Sequence, residues 1–270
     1  LWLAMEFKMT GLIMGVTGSG KTTTLNALTT LFRPTIKVVT IEDTPELRLT
    51  LENWVQLAAR PSYGLESRRG EITLYDLVKV SLRYRPDVII VGEVRGEEAK
   101  VLFQALATGH GGITTIHAES IDAAVKRLTS PPMDIPPSYI PLMNFALVVK
   151  RIRLQNPDGT YRVVRRVTDV WEIRDYNDYP LIAKWDPRER RHVVFLDRSK
   201  LLESIGEEVG EGLAWALEEV EKRSVVLRWM MREGITDYRH VASVIQEYYA
   251  RPEETYEKAR NKLKRYEAFG

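Results

Sequence analysis

Gly15-Val16-Thr17-Gly18-Ser19-Gly20-Lys21-Thr22 fits the pattern G-x-x-x-x-G-K-[ST] in full. The chemistry this spacing serves is the grip on a chain of phosphates. Glycines let the backbone curl until successive N–H groups point inward at phosphate oxygens. Lys21 then sets an ammonium against the terminal phosphates, and Thr22 offers a hydroxyl to Mg²⁺. A helix starting near Lys21 turns its positive dipole end toward the same anion. The residues expected on the nucleotide are Gly15, Thr17, Gly18, Ser19, Gly20, Lys21, Thr22 and Thr23. Chance would produce such a match in about one chain in a hundred of this length.

Hydrolysis needs more than a cradle: a carboxylate near the ion, and a group that orients water. Val88-Ile89-Ile90-Val91-Gly92-Glu93 reads as a buried strand with Glu93 at its carboxyl end. Ligands of open parallel sheets sit at those ends. Asp87 falls at the other end and reads as structural. Val38-Val39-Thr40-Ile41-Glu42-Asp43 repeats the device, bringing two acids to the same rim. Thr108 to His117 holds two of the four histidines. His117 follows a short strand and is expected near the γ-phosphate, whereas His110, among three glycines, reads as a turn residue. Arg48, Arg60, Arg68, Arg69, Arg83, Arg85 and Arg95 lie between or beside these acids. Arginine suits transition-state charge on phosphate, but sequence alone does not choose among them.

Elements of matching type surround these groups. Leu12-Ile13-Met14 reads as the strand before the cradle and Thr22 to Phe32 as the helix after it. Lys37–Ile41, Asp87–Val91 and Ile113–Ile116 read as strands. Helices are expected at Thr73–Tyr84, opened by a Thr73/Asp76 capping box, at Glu97–Ala107, closed by Gly109, and from a Ser120 cap to Leu128. This alternation predicts a mostly parallel sheet covered on both faces. Pro131 to Pro141 carries five prolines and reads as an irregular connector. Phe145–Leu154, Tyr161–Arg174 and Leu181–Leu196 read as strands, the first two joined by Asn156-Pro157-Asp158-Gly159. Amphipathic helices are expected around Leu213–Met231, Tyr238–Tyr249, behind an Asp237 cap, and Glu253–Tyr266. The expected division is an α/β core at 1–150, a β-rich extension at 151–198 and a helical region at 199–270.

Composition removes other chemistries. The 270 residues contain no Cys, which excludes disulfides, thiol nucleophiles and Cys-type zinc sites. Thirty-nine basic and 37 acidic residues leave a net charge of +2, so no contact with nucleic acid is expected from charge. No apolar run reaches membrane-spanning length, and residues 1–9 have no signal-peptide pattern. The expected setting is cytoplasmic. The chain opens without Met and enters a motif almost at once, so an upstream portion is expected.

These motifs together resemble the type II/IV secretion and type IV pilus ATPase superfamily, nearest its archaeal branch. Its boxes appear in order. After the cradle comes Ile41-Glu42-Asp43-Thr44-Pro45-Glu46-Leu47-Arg48-Leu49. Then follow Val91-Gly92-Glu93-Val94-Arg95-Gly96 and Ala107-Thr108-Gly109-His110-Gly111-Gly112 through His117-Ala118. The resemblance implies a RecA-like P-loop NTPase core, a hexameric ring, and hydrolysis of ATP with Mg²⁺ at subunit boundaries. It implies that Glu93 polarises water, that Glu42 and Asp43 support the ion and that water, and that His117 senses the γ-phosphate. Thr22, Asp43 and Glu93 would hold Mg²⁺, partly through water. Arg48 and Arg60 would reach phosphate within or across the ring, while Arg95 would be structural. The implied partners are a multi-spanning membrane platform protein and, indirectly, pilin-like or secreted substrates, with the motor peripheral at the cytoplasmic face of the membrane. Leu49 to Trp54 departs from the family's usual sequence, and the family's amino-terminal domain is not in these residues. Two other readings stay open: a nucleic-acid translocating hexameric ATPase, and a non-hydrolysing nucleotide-binding scaffold.

Overall fold

The computed structural model describes residues 1–60, 70–156 and 158–268. Arg68, Arg69 and Pro157 lie outside the described residues. Among the described residues nine strands form one sheet: β1 Gly11–Met14, β2 Val38–Glu42, β3 Trp54–Ala58, β4 Val88–Val91, β5 Gly111–Ile116, β6 Phe145–Gln155, β7 Tyr161–Glu172, β8 Leu181–Asp186 and β9 Arg191–Val194. Their order is β3-β2-β4-β5-β1-β6-β7-β8-β9. Pairings from β3 through β6 are all parallel. Those from β6 to β9 are antiparallel.

The helices are α1 Trp2–Glu6, α2 Lys21–Thr29, α3 Leu74–Ser81, α4 Glu98–Ala107, α5 Ile121–Leu128, α6 Lys200–Glu208, α7 Gly212–Arg232, α8 Tyr238–Ala250 and α9 Pro252–Ala268. The parallel strands are buried on both faces, as their unbroken Val/Ile runs require. On one face Met14, Val39, Ile41, Ile89 and Val91 pack with α3, α4 and α5 residues such as Val78, Leu102 and Val125. On the other, Ile13, Val38 and Ile90 pack with Met5 of α1 and with Leu25 and Leu28 of α2. The Pro-rich connector ends in a 3-10 turn over Pro137–Leu142, and its Met133, Ile135 and Ile140 enter the first of these cores.

Several elements differ from the sequence expectation. β3 and α1 were not expected. β3 is an edge strand and only half-buried, so its alternation is weak. Leu181–Leu196 is two strands, not one. Asp186 Oδ1 accepts from the N–H groups of Arg188 (2.8 Å) and Glu189 (3.2 Å) and folds the chain back. Strand β6 carries the sheet from its parallel to its antiparallel half.

The helical region packs on its own chain. Trp2 joins Val226, Trp229, Ile245 and Tyr248 in one cluster, and Leu3 joins Leu202, Ile205 and Ala216 in another. Tyr249 couples three elements: its hydroxyl accepts from Trp2 Nε1 at 3.0 Å and donates to the Leu31 carbonyl at 2.7 Å. Beside it Arg223, 5% exposed, bonds to Glu6 and Glu219. Among the described residues no helix is long and apolar enough to cross a membrane.

Candidate active site

Strands β2, β4, β5 and β1 are successive neighbours, so their carboxyl ends form one rim. Along it lies a cleft of about 660 Å³. The loop after β1 supplies Thr17, Gly18, Gly20, Lys21, Thr22 and Thr23; β2 brings Glu42 and Asp43; β4 brings Glu93; β5 brings His117. Parallel pairing thus gathers groups up to a hundred residues apart, as the strand-end reading predicts.

The loop's geometry depends on its glycines. A Cβ at Gly15 would stand 2.4 Å from Ser19 Oγ and 2.6 Å from the Val149 carbonyl. At Gly20 φ is +107°, a left-handed conformation at the cap of α2. Lys21 Nζ donates to the carbonyls of Gly15 (3.0 Å) and Val16 (3.4 Å), which holds the ammonium within the curl of the loop. Lys21 is largely buried, and desolvation lowers its pKa from 10.5 against the opposing pull of Glu93. Ser19 is fully buried, and its Oγ has no hydrogen-bond partner among the described residues. The first turn of α2 has no side-chain cap. This inward-facing donor set fits a phosphate chain.

The acids are held differently from one another. Glu42 is buried, and its Oε1 accepts from the N–H groups of Glu46 (2.9 Å) and Leu47 (3.0 Å), fastening the loop after β2. Its Oε2 is buried without a hydrogen bond among the described residues. Glu93 Oε2 accepts from Arg95 at 2.5 Å. Its Oε1 is buried and lies 3.3 Å from His117 Nε2, within ion-pair distance but without hydrogen-bond alignment. Arg95 also stands 3.8 Å from Asp43. The bond to Glu93 raises the Arg95 pKa. Among the described residues no cluster of three or more His, Asp or Glu could hold a metal by itself. Hard oxygens arrayed beside a phosphate cradle instead suit Mg²⁺, which keeps several waters and shares substrate phosphates.

Burial lowers the His117 pKa below the ordinary 6.5, helped by the nearby Lys21 charge and opposed by Glu93. The shift favours the neutral imidazole over the cation at pH 7. Because the folded pKa is depressed, the neutral ring favours the fold fully above pH 6.5, and that contribution is lost as pH falls through the folded value. An NMR titration should place the His117 midpoint below 6.5, and Glu93→Gln should move it lower still. A midpoint above 6.5 in the unsubstituted protein contradicts this electrostatic picture. α5 steadies the residue from behind: Arg127 donates to the His117 carbonyl at 2.9 Å, and Ser120 Oγ caps the helix by accepting from Ala123 N–H at 3.2 Å. Ser120→Ala should cost about 1 kcal/mol of stability, read from a denaturant midpoint.

Of the expected residues, Gly15 and Ser19 of the loop and the arginines Arg48 and Arg60 do not line the cleft. Arg48 is exposed; its backbone N–H bonds to Asn26 Oδ1 at 2.9 Å, on the α2 side of the fastened loop. Arg60 Nε donates to the Gly70 carbonyl at 2.6 Å, and its backbone bridges Ile72. Neither lines the cleft of its own chain. His110 follows the Thr108-Gly109 turn, its Nδ1 lying 3.1 Å from the Ala105 carbonyl. Thr115 and Arg95 also line the cleft. So does Arg165 of β7, whose Nε donates to the Gly18 carbonyl at 3.0 Å. Its sequence signal was only one member of an arginine-rich strand.

A phosphate loop after the central strand, with acids at the ends of β4 and β2 on the same rim, defines a P-loop NTPase of RecA-like architecture. Residues 4–149 match the family model of type II/IV secretion system proteins, and residues 193–266 match a PilB3-like C-terminal model. An uncharacterized protein of Methanocaldococcus jannaschii is 41% identical over 84% of this chain and 84% of its own length. The type IV secretion system protein PtlH of Bordetella pertussis is 38% identical over 63% of this chain and 52% of its own. The solved VirB11 ATPase from the Brucella suis type IV secretion system superposes with a TM-score of 0.51 at 28% identity, covering 64% of this chain and 50% of that one. The chain belongs to the type II/IV secretion ATPase superfamily. It spans about half the length of the PtlH and VirB11 relatives.

Proposed function

We propose that the chain is the motor core of an ATP-hydrolysing hexameric ring. The ring would drive protein secretion, or the assembly or rotation of type IV pilus-like filaments, through a multi-spanning membrane platform protein at the cytoplasmic face of the membrane. The observation that carries this reading is Glu93 Oε1: a buried carboxylate oxygen without a hydrogen-bond partner among the described residues, in the same cleft as Lys21 and Thr22. The family relationship supports the same class of activity.

Each group has a role in the proposed reaction. The loop N–H groups and Lys21 bind and orient the phosphates of ATP. Thr22, Asp43 and Glu93, partly through water, would hold Mg²⁺, which neutralises charge on the phosphates. Arg95 keeps Glu93 oriented by occupying Oε2, leaving Oε1 to accept a proton from the attacking water. Glu42 fixes the neighbouring loop, and neutral His117, beside Oε1, responds to the state of the γ-phosphate. Arg48 and Arg60, which do not line this cleft, are available to a neighbouring subunit's site. Loss of the γ-phosphate contacts lets the ring relax, which is the differential binding that a motor needs.

Phosphate release from MgATP, measured with and without single-stranded DNA, tests the proposal. Release that DNA leaves unchanged is expected. Strong stimulation favours a nucleic-acid motor, and binding without release favours a scaffold.

A further inference from the structure

We propose that Arg165 is a nucleotide-contact residue, presenting its guanidinium to the phosphate chain of the bound nucleotide. This rests on the nucleotide reading of the cleft and adds to it a residue from outside the family boxes. Arg165 lies on β7, across an antiparallel pairing from β6, far in sequence from the loop it touches. Its Nε donates to the Gly18 carbonyl at 3.0 Å, and it lines the cleft with Lys21 and Thr22. No carboxylate pairs with it among the described residues, so the remaining N–H donors of the fork are uncommitted.

Three further observations converge on this residue. A Cβ at Gly20 would stand 3.0 Å from Arg165 Cδ, so the loop's own glycine leaves the path along which the side chain runs. A β-bulge at Val148/Val149 shifts the β6–β7 register just below this point, and such bulges re-aim side chains. The residue directly opposite Arg165 in that register is Arg151, also exposed and also without a carboxylate partner among the described residues. Like charges directly opposite each other in an antiparallel pair are destabilising. An anion beside them relieves that repulsion, and the neighbouring cradle is built for one.

The test uses MgADP as the probe, so that binding is read without turnover. Arg165→Gln keeps a neutral donor for the Gly18 carbonyl but removes the charge, while Arg165→Lys keeps the charge and loses the fork. Arg165→Gln should weaken MgADP binding about tenfold, as expected for a lost charge-assisted contact, and Arg165→Lys should weaken it less. The nucleotide-free thermal midpoint should hold or rise, because the substitution also removes the charge facing Arg151. The affinity should also fall less steeply with salt in Arg165→Gln than in the unsubstituted protein. Unchanged affinity and salt slope in Arg165→Gln, with normal binding by the unsubstituted protein, overturn this assignment alone. No MgADP binding by the unsubstituted protein overturns the nucleotide reading and this assignment with it.

Discussion

Glu93→Gln should bind MgATP with nearly unchanged affinity and release phosphate about 10²-fold or more slowly. The amide matches the carboxylate in size, so the 2.5 Å contact at Oε2 can persist as a hydrogen bond from the Arg95 guanidinium to the amide oxygen. What disappears is a basic oxygen at Oε1, the buried acceptor beside His117. A positioned general base contributes ~10²–10⁴ in rate. Lys21, Thr22 and the loop amides are untouched, so the loss should fall on turnover and leave binding intact. Single-turnover phosphate release and equilibrium binding on the same sample separate the two. A variant that hydrolyses at the normal rate removes Glu93 from the base role.

Glu6→Ala should destabilise the fold by about 3 kcal/mol, the second large effect. Arg223 is nearly fully buried and lies over the rings of Trp2 and Tyr248. Burial works against its charge, yet Glu6, Tyr248 and Glu219 outweigh it and raise the pKa. Removing one carboxylate from such a cluster leaves a buried cation under-compensated, at a cost of about 3–5 kcal/mol. The lower end applies because Glu219 remains. Arg33, the other partner of Glu6, sits just past α2, so the same cluster ties the helical region to the helix that follows the cradle. Equilibrium denaturation should show a lower midpoint with the slope unchanged. A midpoint equal to that of the unsubstituted protein would mean that the pairing contributes nothing net.

The cradle and the three strand-end motifs were legible because local sequence suffices for them. G-x-x-x-x-G-K-T fixes its own backbone, and a buried Val/Ile run followed by an acid places that acid on the rim. Ser120, Thr73 and Asp237 were legible as caps for the same reason, and each accepts the expected backbone N–H. The unread parts depend on distant contacts. β3 is an edge strand whose Trp54 Nε1 bonds to Thr40 Oγ1 at 2.9 Å, a cross-strand contact that no window around residue 54 contains. α1 is five residues long and is fixed by burial against α7 and α2 rather than by its own pattern. Arg165 reaches Gly18 across 147 positions through a bulged register, so its composition pointed only to a charged strand face. The Asp186-Pro187 turn was different: Asp-Pro is a local breaker signal, and reading it would have split the last strand.

The central claim is that the Gly15–Thr22 loop grips a phosphate chain. Calorimetric titration of MgADP into the unsubstituted protein and Lys21→Ala tests it most directly. Saturable binding by the first, and at least about a hundredfold weaker binding by the second, is the expected result, since a buried ammonium supplies charge-assisted contacts that no neighbour replaces. Equal affinity in the two proteins, or no binding to the unsubstituted one, would contradict the claim.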